Sequence, residues 1–279
     1  MTSDSTHKQI RIEPRSPSCW RVIIDQPPFN IFGPDMLPQL NAVVTALETD
    51  PQVKVVVFES AVPGFFLTHY DFEPPLEATT SMAPGPTGLP PLPDMLVRIG
   101  RMPVISIAKI RGRATGVGSE LALASDMRFA SRDKALLSQW EIGAALVPGG
   151  GPMTRLSRLI GRGRALEVLT SGNDFDGALA ERYGYVNRAL PDDELDDFVE
   201  ALATRIASFD KQSLAVIKRH VNAETLPPDT SVAPEWDAFI AAVQRPAARE
   251  KIARLMEMGL QEDPDVEARL AHYTGSLWR

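Results

Sequence analysis

The sequence contains a single cysteine, Cys19, and four histidines in a chain of 279 residues. One cysteine cannot form an intrachain disulfide, and it leaves too few thiolates for a cysteine-bound metal cluster. The histidines are scattered, without the spacing of two ligands on one helix face. We therefore expect neither a disulfide framework nor a metal site, and the cysteine usage suits a reducing cytoplasm.

Long apolar runs and an excess of positive charge are also absent. No apolar stretch approaches the ~18 residues of a membrane span, and the polar segment Met1 to Gln9 lacks the apolar centre of a secretory signal. The formal net charge of −7 disfavours broad nucleic-acid binding, which requires a basic face. These absences predict a soluble cytoplasmic protein with neither nucleic acid nor a membrane as partner.

Strand-like and helix-like segments alternate along the first two thirds of the chain. The β-branched run Val53 to Phe58 predicts a buried strand, whereas only helical patterns follow Pro228. This order indicates an α/β core over residues 9–210 and an all-helical region over 211–279. Residues 1–8 are expected to be disordered.

The segment from Pro74 to Pro93 is rich in proline and precedes a predicted short helix, Asp94 to Gly100. Long segments without structure of their own are either functional or disordered. Two interpretations therefore remain open: a mobile loop or lid over a site, or a disordered surface loop.

A glycine-rich junction joins the predicted strand Val104 to Ile110 to the predicted helix Ser119 to Ala124. Glycine lets backbone N–H groups approach a ligand closely, and the first amides of a helix have no partners within the helix. Glu120 lies in the first helical turn. The junction could therefore combine a cradle for a developing oxyanion with an acid/base group. An ordinary turn with a favourable first-turn charge is the alternative.

Several motifs follow one another in the order of a known family. Residues 112–126 read GRATGVGSELALASD, residues 139–141 read QWE, and residues 148–151 read PGGG. They resemble the motifs Gly-x-Ala-x-Gly-Gly-Gly-x-x-Leu-Ala-x-x-Cys-Asp, Gln-Pro-Glu and Pro-Gly-x-Gly of the enoyl-CoA hydratase/isomerase (crotonase) superfamily. The resemblance covers Trp20 to Asn222. It implies an α/β fold in which ββα turns stack into a crotonase-like spiral, followed by a C-terminal helical trimerisation region.

The resemblance also implies an active site. The backbone N–H groups of Tyr70 and Val117 would form an oxyanion hole for a thioester enolate. Glu120 and Glu141 occupy the positions of the two glutamates with which hydratases of the family hold a water molecule. Two neighbouring carboxyl groups separate each other's pKa values, which favours one ionised and one protonated group.

The implied activity is hydration of an α,β-unsaturated acyl-CoA, with CoA as substrate carrier and no other cofactor. Isomerisation of an enoyl-CoA and CoA-independent hydrolysis of a C–C bond in a diketone are the alternative reactions. A non-catalytic binding protein is a third possibility, which retention of both glutamates disfavours. Family members are usually homotrimers or homohexamers, and either state is expected here.

The sequence departs from the family beside the first oxyanion donor. His69 replaces the usual glycine there. It could be a third acid/base group near the substrate, or it could be a packed, hydrogen-bonded residue. Family members often carry a lysine or arginine near this motif for the CoA phosphates, and from Pro63 onward neither is present before Arg98. This absence favours the CoA-independent alternative.

The acyl pocket is the remaining part of the predicted site. The apolar residues Phe66 and Leu67 precede the first oxyanion motif, and Trp140 stands beside Glu141. We predict that these three residues, with Gly116 and His69, contact the substrate.

Overall fold

The structure is a computed structural model, and it describes residues 8–278. The N-terminal segment 1–8, predicted to be disordered, lies outside this range except for its last residue. The strands are β1 (Ile10–Ser16), β2 (Cys19–Ile24), β3 (Val55–Ser60), β4 (Phe65–Leu67), β5 (Ile105–Ile110), β6 (Arg113–Thr115), β7 (Met127–Ser131), β8 (Leu136–Ser138), β9 (Phe175–Asp176) and β10 (Arg188–Leu190). The helices are α1 (Met36–Thr49), α2 (Glu77–Thr80), α3 (Pro91–Arg101), α4 (Val117–Ala124), α5 (Pro152–Ile160), α6 (Arg162–Ser171), α7 (Gly177–Tyr183), α8 (Leu195–Ala207), α9 (Lys211–Thr225), α10 (Asp229–Val243), α11 (Pro246–Glu257), α12 (Pro264–Ala268) and α13 (Leu270–Ser276), with a 3₁₀ turn at Glu141–Ala144.

Two sheets form the centre of the fold. The larger sheet has the strand order β1-β2-β3-β5-β7-β10, and the smaller one has the order β4-β6-β8-β9. The first two strands form an antiparallel hairpin, and the remaining pairs of the larger sheet are parallel. Strands β3, β5 and β7 are each followed by a strand of the smaller sheet and then by helix. These repeated ββα turns confirm the predicted spiral.

Helix α4 lies in the interior of this spiral. All eight of its residues are buried, and apart from Ser119 and Glu120 their side chains are apolar or absent. Its C-terminal end is capped by the guanidinium of Arg128, which donates to the carbonyls of Ala122 (3.1 Å) and Ser125 (2.7 Å). A cation at this end complements the helix dipole. A buried glutamate in so central a helix requires a compensating or functional reason.

Several predicted elements differ in their boundaries. Helix α3 begins at Pro91 rather than at Asp94, since proline suits the first turn of a helix. The segment interpreted as a loop contains helix α2, and the Tyr70 hydroxyl is hydrogen-bonded to Thr79 within that helix (2.5 Å).

The C-terminal helices pack onto the same hydrophobic core as the spiral. Trp236 and Phe239 of α10, Leu255 of α11 and Leu270 of α13 belong to one cluster with residues of the sheets. The predicted division of the chain at residue 210 stays a prediction. Among residues 8–278, no helix is both long enough and apolar enough to cross a membrane.

Candidate active site

Helix α4 and the segment that follows β4 approach each other very closely. The N–H of Gly118 donates to the carbonyl of Thr68 (3.1 Å). A Cβ atom at position 118 would lie only 1.7 Å from the carbonyl oxygen of Leu67, so a side chain cannot be placed there. This glycine therefore allows the N-terminus of α4 to lie against residues 67–70.

The two predicted oxyanion donors face the same cavity from these two segments. Tyr70 and Val117 both line it. Neighbouring amides are paired, because the N–H of Asp71 donates to Phe32 (2.8 Å) and that of Gly118 to Thr68. By contrast, the amides of Tyr70 and Val117 make no hydrogen bond of good geometry to any residue within 8–278. Unpaired amides beside a cavity are what an oxyanion hole requires, and their role stays a prediction.

Both predicted catalytic carboxylates line this cavity too. Glu120 and Glu141 are buried, with 2% and 6% of their surface exposed. Glu120 Oε1 accepts the N–H of Gly150 (2.8 Å). With its amide oriented to satisfy both neighbours, Gln139 donates to Glu141 Oε2 (3.2 Å) and accepts from Ser119 Oγ (2.9 Å). The motif PGGG therefore contacts helix α4 at Glu120, and the motif QWE contacts it at Ser119.

The environments of the two carboxyl groups separate their proton affinities. Burial raises the pKa of Glu120 to about 7, opposed by the N–H of Gly150 and the charge of Arg155 and assisted by Glu235. Burial raises the pKa of Glu141 well above its ordinary value, and the charge of Glu120 raises it further. The charge of one carboxylate disfavours ionisation of the other, so the pair favours one ionised and one protonated group, which suits one general base and one general acid.

The cavity between these groups is small and largely aromatic. Its volume is about 30 Å³, which exceeds the ~10–15 Å³ that a cavity needs in order to hold a water molecule. It is lined by Tyr70, Phe72, Leu92, Val117, Glu120, Trp140, Glu141, Leu146, Pro148, Gly149, Trp236 and Phe239. The site in this conformation has room for water between the carboxylates, and an acyl group requires the aromatic wall to move.

Sequence reasoning missed the side of the cavity that α10 supplies. Trp236 and Phe239 are three residues apart, which places them on one helix face. That spacing is equally typical of a helix packed against a core. The aromatic side chains of Trp236 and Phe239 were the only feature of the sequence that could have indicated a cavity-lining helix.

Of the predicted substrate contacts, Trp140 and Gly116 lie at the site. Trp140 lines the cavity. Gly116 has a positive φ of 57°, which glycine adopts more readily than other residues. A Cβ atom there would lie 3.1 Å from Trp140 Nε1 and 3.2 Å from Glu141 Oε1. The absence of a side chain at Gly116 lets these groups lie close together.

Phe66 and Leu67 do not line the cavity. Both side chains are completely buried in the main hydrophobic cluster. The physical reason is the pairing of β4 with β6, where Leu67 lies opposite Ala114 and the strand becomes part of the interior of the spiral. The predicted acyl contact of these two residues is replaced by the aromatic wall described above.

His69 does not line the cavity either. It is 1% exposed, and its ring packs against Phe72 and Trp140 at centroid distances of 6.0 and 5.3 Å. Nδ1 donates to the carbonyl of Tyr70 (2.8 Å), and Nε2 contacts Glu267 Oε1 (3.0 Å). Burial alone would lower the pKa of His69, but the Glu267 carboxylate raises it. With both ring nitrogens engaged, the packed and hydrogen-bonded interpretation describes the structure, and the acid/base interpretation does not.

A second, larger groove adjoins the cavity and shares three aromatic residues with it. The charged residues along the groove are Asp71, Glu73, Glu77 and Arg249. The groove therefore has three acidic groups and one basic group, and these do not form a cationic cluster that could bind phosphates. Within residues 8–278, no group of three or more histidine, cysteine, aspartate or glutamate side chains is arranged to hold a metal ion.

Comparison with known structures gives close matches over nearly the whole chain. A provisionally named enoyl-CoA hydratase from Streptomyces avermitilis is 38% identical, with a TM-score of 0.91 and 96% of each chain covered. An enoyl-CoA hydratase from Mycobacterium avium subsp. paratuberculosis is 25% identical, with a TM-score of 0.79. That match covers 88% of this chain and 98% of the other.

Comparison by sequence points the same way. The mitochondrial methylglutaconyl-CoA hydratase of Mus musculus is 33% identical over 168 residues, which is 60% of this chain and 52% of that protein. This chain thus spans about half the length of the curated relatives it matches. The family model for enoyl-CoA hydratase/isomerase matches residues 16–258. The chain therefore belongs to the enoyl-CoA hydratase/isomerase family.

Proposed function

We propose that this protein hydrates an α,β-unsaturated acyl thioester. The observation that carries the proposal is the pair Glu120 and Glu141, both buried at one cavity that can hold water, with both pKa values raised by burial. A protonated carboxylic acid beside a partly ionised carboxylate can supply and remove a proton in the same turnover. An isomerase needs to move a proton within the substrate and does not need to hold water.

In the proposed reaction, the thioester carbonyl accepts hydrogen bonds from the amides of Tyr70 and Val117. Water held between the carboxylates adds its oxygen to the β-carbon, and Glu120 takes the proton that water loses. The electron pair of the C=C bond moves to the carbonyl oxygen as an enolate, which the two amides stabilise. Glu141 then donates its proton to the α-carbon, so that one water molecule is added. Proton transfer from Glu120 to Glu141 restores the starting state.

A CoA carrier is part of the proposal at the level of the family, as is a homotrimer or homohexamer. The acidic mouth formed by Asp71, Glu73 and Glu77 gives no local support for phosphate binding. Free CoA should still raise the melting temperature if the carrier is recognised, because a ligand that binds only the folded state stabilises it. A free diketone that protects the protein while CoA does not would favour the CoA-independent hydrolase instead.

The proposed function can be tested with enoyl-CoA thioesters in water enriched with heavy oxygen. Hydration places that oxygen in the product, which mass spectrometry detects. Glu120→Gln and Glu141→Gln should each reduce incorporation at least 100-fold, since each removes one proton-transfer group. Glu59→Gln is the matched control: Glu59 is also buried, but it is paired with Lys109 away from the cavity, and the change should leave incorporation within about threefold.

The same panel in deuterated water separates hydration from isomerisation. Deuterium at the α- or γ-carbon without heavy-oxygen incorporation would identify an isomerase. Neither label in any thioester would refute the proposed reaction.

A further inference from the structure

The segment that carries the first oxyanion donor is held by the C-terminal part of the same chain. Glu267, in helix α12, is completely buried. Its two carboxylate oxygens lie 3.0 and 3.2 Å from Nε2 of His69. His69 Nδ1 already donates to the carbonyl of Tyr70, so Nε2 must carry the proton if it is to donate to the carboxylate. This contact is therefore a buried, charge-assisted hydrogen bond between positions 198 residues apart.

Gln261 adds two contacts on the other side of Tyr70. Its Oε1 accepts the N–H of Phe72 (2.7 Å), and its Nε2 donates to Asp71 Oδ1 (2.7 Å). The N–H of Gln261 in turn donates to Glu267 Oε1 (2.8 Å). Gln261 and Glu267 thus form one connected set of hydrogen bonds with residues 69–72, and these two residues with His69 are here named the C-terminal clamp.

The clamp brackets the peptide group whose N–H faces the cavity. It holds the side chain of His69 immediately before that peptide, and Asp71 and Phe72 immediately after it. The carbonyl of the same peptide accepts the N–H of Phe32 (3.0 Å). Rotation of the Tyr70 amide would therefore require these contacts to break.

We propose that His69, Gln261 and Glu267 are positioning residues that orient the Tyr70 amide for the thioester oxygen. The inference rests on the proposed function, because it assigns the Tyr70 amide to substrate. A displacement of about 1 Å in a catalytic group can reduce a rate about 100-fold, so loosening the clamp should lower kcat much more than it raises KM.

A merely structural role would change stability without changing how the substrate carbonyl is polarised. Two variants separate these roles. Glu267→Gln keeps the shape of the side chain and removes its charge from His69. Gln261→Met keeps the volume of a partly exposed side chain and removes both of its side-chain contacts. Asp265→Asn is the matched control, because it is the same kind of change in α12 at an exposed carboxylate that contacts Arg269 and Tyr273.

The experiment measures the carbonyl stretching frequency of butanoyl-CoA carrying a heavy carbon isotope at its carbonyl. This thioester is saturated, so it cannot be hydrated. In the wild-type protein, the bound carbonyl should absorb at lower frequency than the free one, because hydrogen bonds at the oxygen weaken the C=O bond. Both clamp variants should bring that frequency back toward the free value and reduce kcat for enoyl-CoA hydration 10- to 100-fold, with KM within about threefold.

The outcomes distinguish the clamp from the proposed function. A frequency shift that persists unchanged in folded Glu267→Gln and Gln261→Met would overturn the positioning role and leave hydration intact. A wild-type protein that does not shift the carbonyl would overturn both, since there would be no oxyanion hole to orient. If the wild-type protein shifts the carbonyl frequency, both clamp variants lose the shift, and no heavy oxygen enters any enoyl-CoA, the clamp would be retained and the hydratase reaction excluded. An effect of equal size in Asp265→Asn would also overturn the inference, because disturbance of α12 alone would then account for it.

Discussion

Replacing Glu120 by glutamine is expected to stabilise the protein at alkaline pH while removing its activity. The carboxyl group is buried, and its pKa is raised from 4.5 to about 7 in the folded protein. In the unfolded chain the pKa returns to its ordinary value. Below 4.5 both states hold the proton. As the pH rises toward 7 and above, the unfolded chain ionises more readily, so the free energy of unfolding decreases.

The size of this effect follows from the two pKa values. The difference between 4.5 and about 7 corresponds to a penalty of about 3 kcal/mol at pH 8 and about 1 kcal/mol at pH 5. Glutamine has no charge to bury, and its Oε1 can still accept the N–H of Gly150. The advantage of Glu120→Gln over the wild-type protein should therefore grow by about 2 kcal/mol between pH 5 and pH 8.

Urea unfolding, followed by tryptophan fluorescence at both pH values, measures this difference. Comparison across pH removes any constant effect of the substitution on packing. Glu59→Gln is the control. Its carboxylate pairs with Lys109 and lies 3.5 Å from Arg21, so its removal should destabilise the protein at pH 8. If the advantage of Glu120→Gln does not grow with pH, the pKa of Glu120 is not raised, and the assignment of a buried general base is refuted.

Three further predictions concern the rate, the helix junction and the core. The value of kcat/KM should rise about tenfold between pH 6 and pH 8 as Glu120 ionises around its pKa of about 7; a flat profile would contradict this assignment. Gly118→Ala should reduce kcat more than 100-fold, because its Cβ would lie 1.7 Å from a carbonyl oxygen and must push α4 away from the first oxyanion segment. Gly163→Ala, where a Cβ meets nothing within 4 Å, should instead stabilise α6 by about 0.5–1 kcal/mol without changing kcat. Lys218→Met should lower the free energy of unfolding by about 3 kcal/mol in urea titrations, since the ammonium is buried between an aspartate at 2.8 Å and a backbone carbonyl at 2.8 Å; a change below about 1 kcal/mol would show that this pair is dispensable.

Much of the alternation of strands and helices could be predicted from local sequence, and the spiral arrangement was implied by the family resemblance. The β-branched run of β3, the glycine junction before α4 and the order of strand and helix patterns each depend on neighbouring residues. The two glutamates could be predicted for a related reason: the resemblance that identifies them lies in short motifs around α4 and the 3₁₀ turn. Both motifs contribute to the same cavity.

The environment of the site depended on contacts between distant parts of the chain. No local pattern shows that His69 meets Glu267, or that the amide of Phe72 is bonded to Gln261. The aromatic wall from α10 was hidden because a core helix and a cavity-lining helix have the same apolar spacing. Phe66 and Leu67 were misplaced because hydrophobicity predicts burial without distinguishing a sealed core from a pocket.

The groups available for chemistry follow from short motifs and their family resemblance: two carboxylates, glycines at a helix start and backbone amides near them. Long-range packing sets which of those groups share a cavity, how burial and charge shift their pKa values, and that His69 is bonded within the protein rather than facing the substrate. The physical reason is that identity and backbone preference are local properties. Burial, charge pairing and the resulting pKa values are set by residues that only folding brings together.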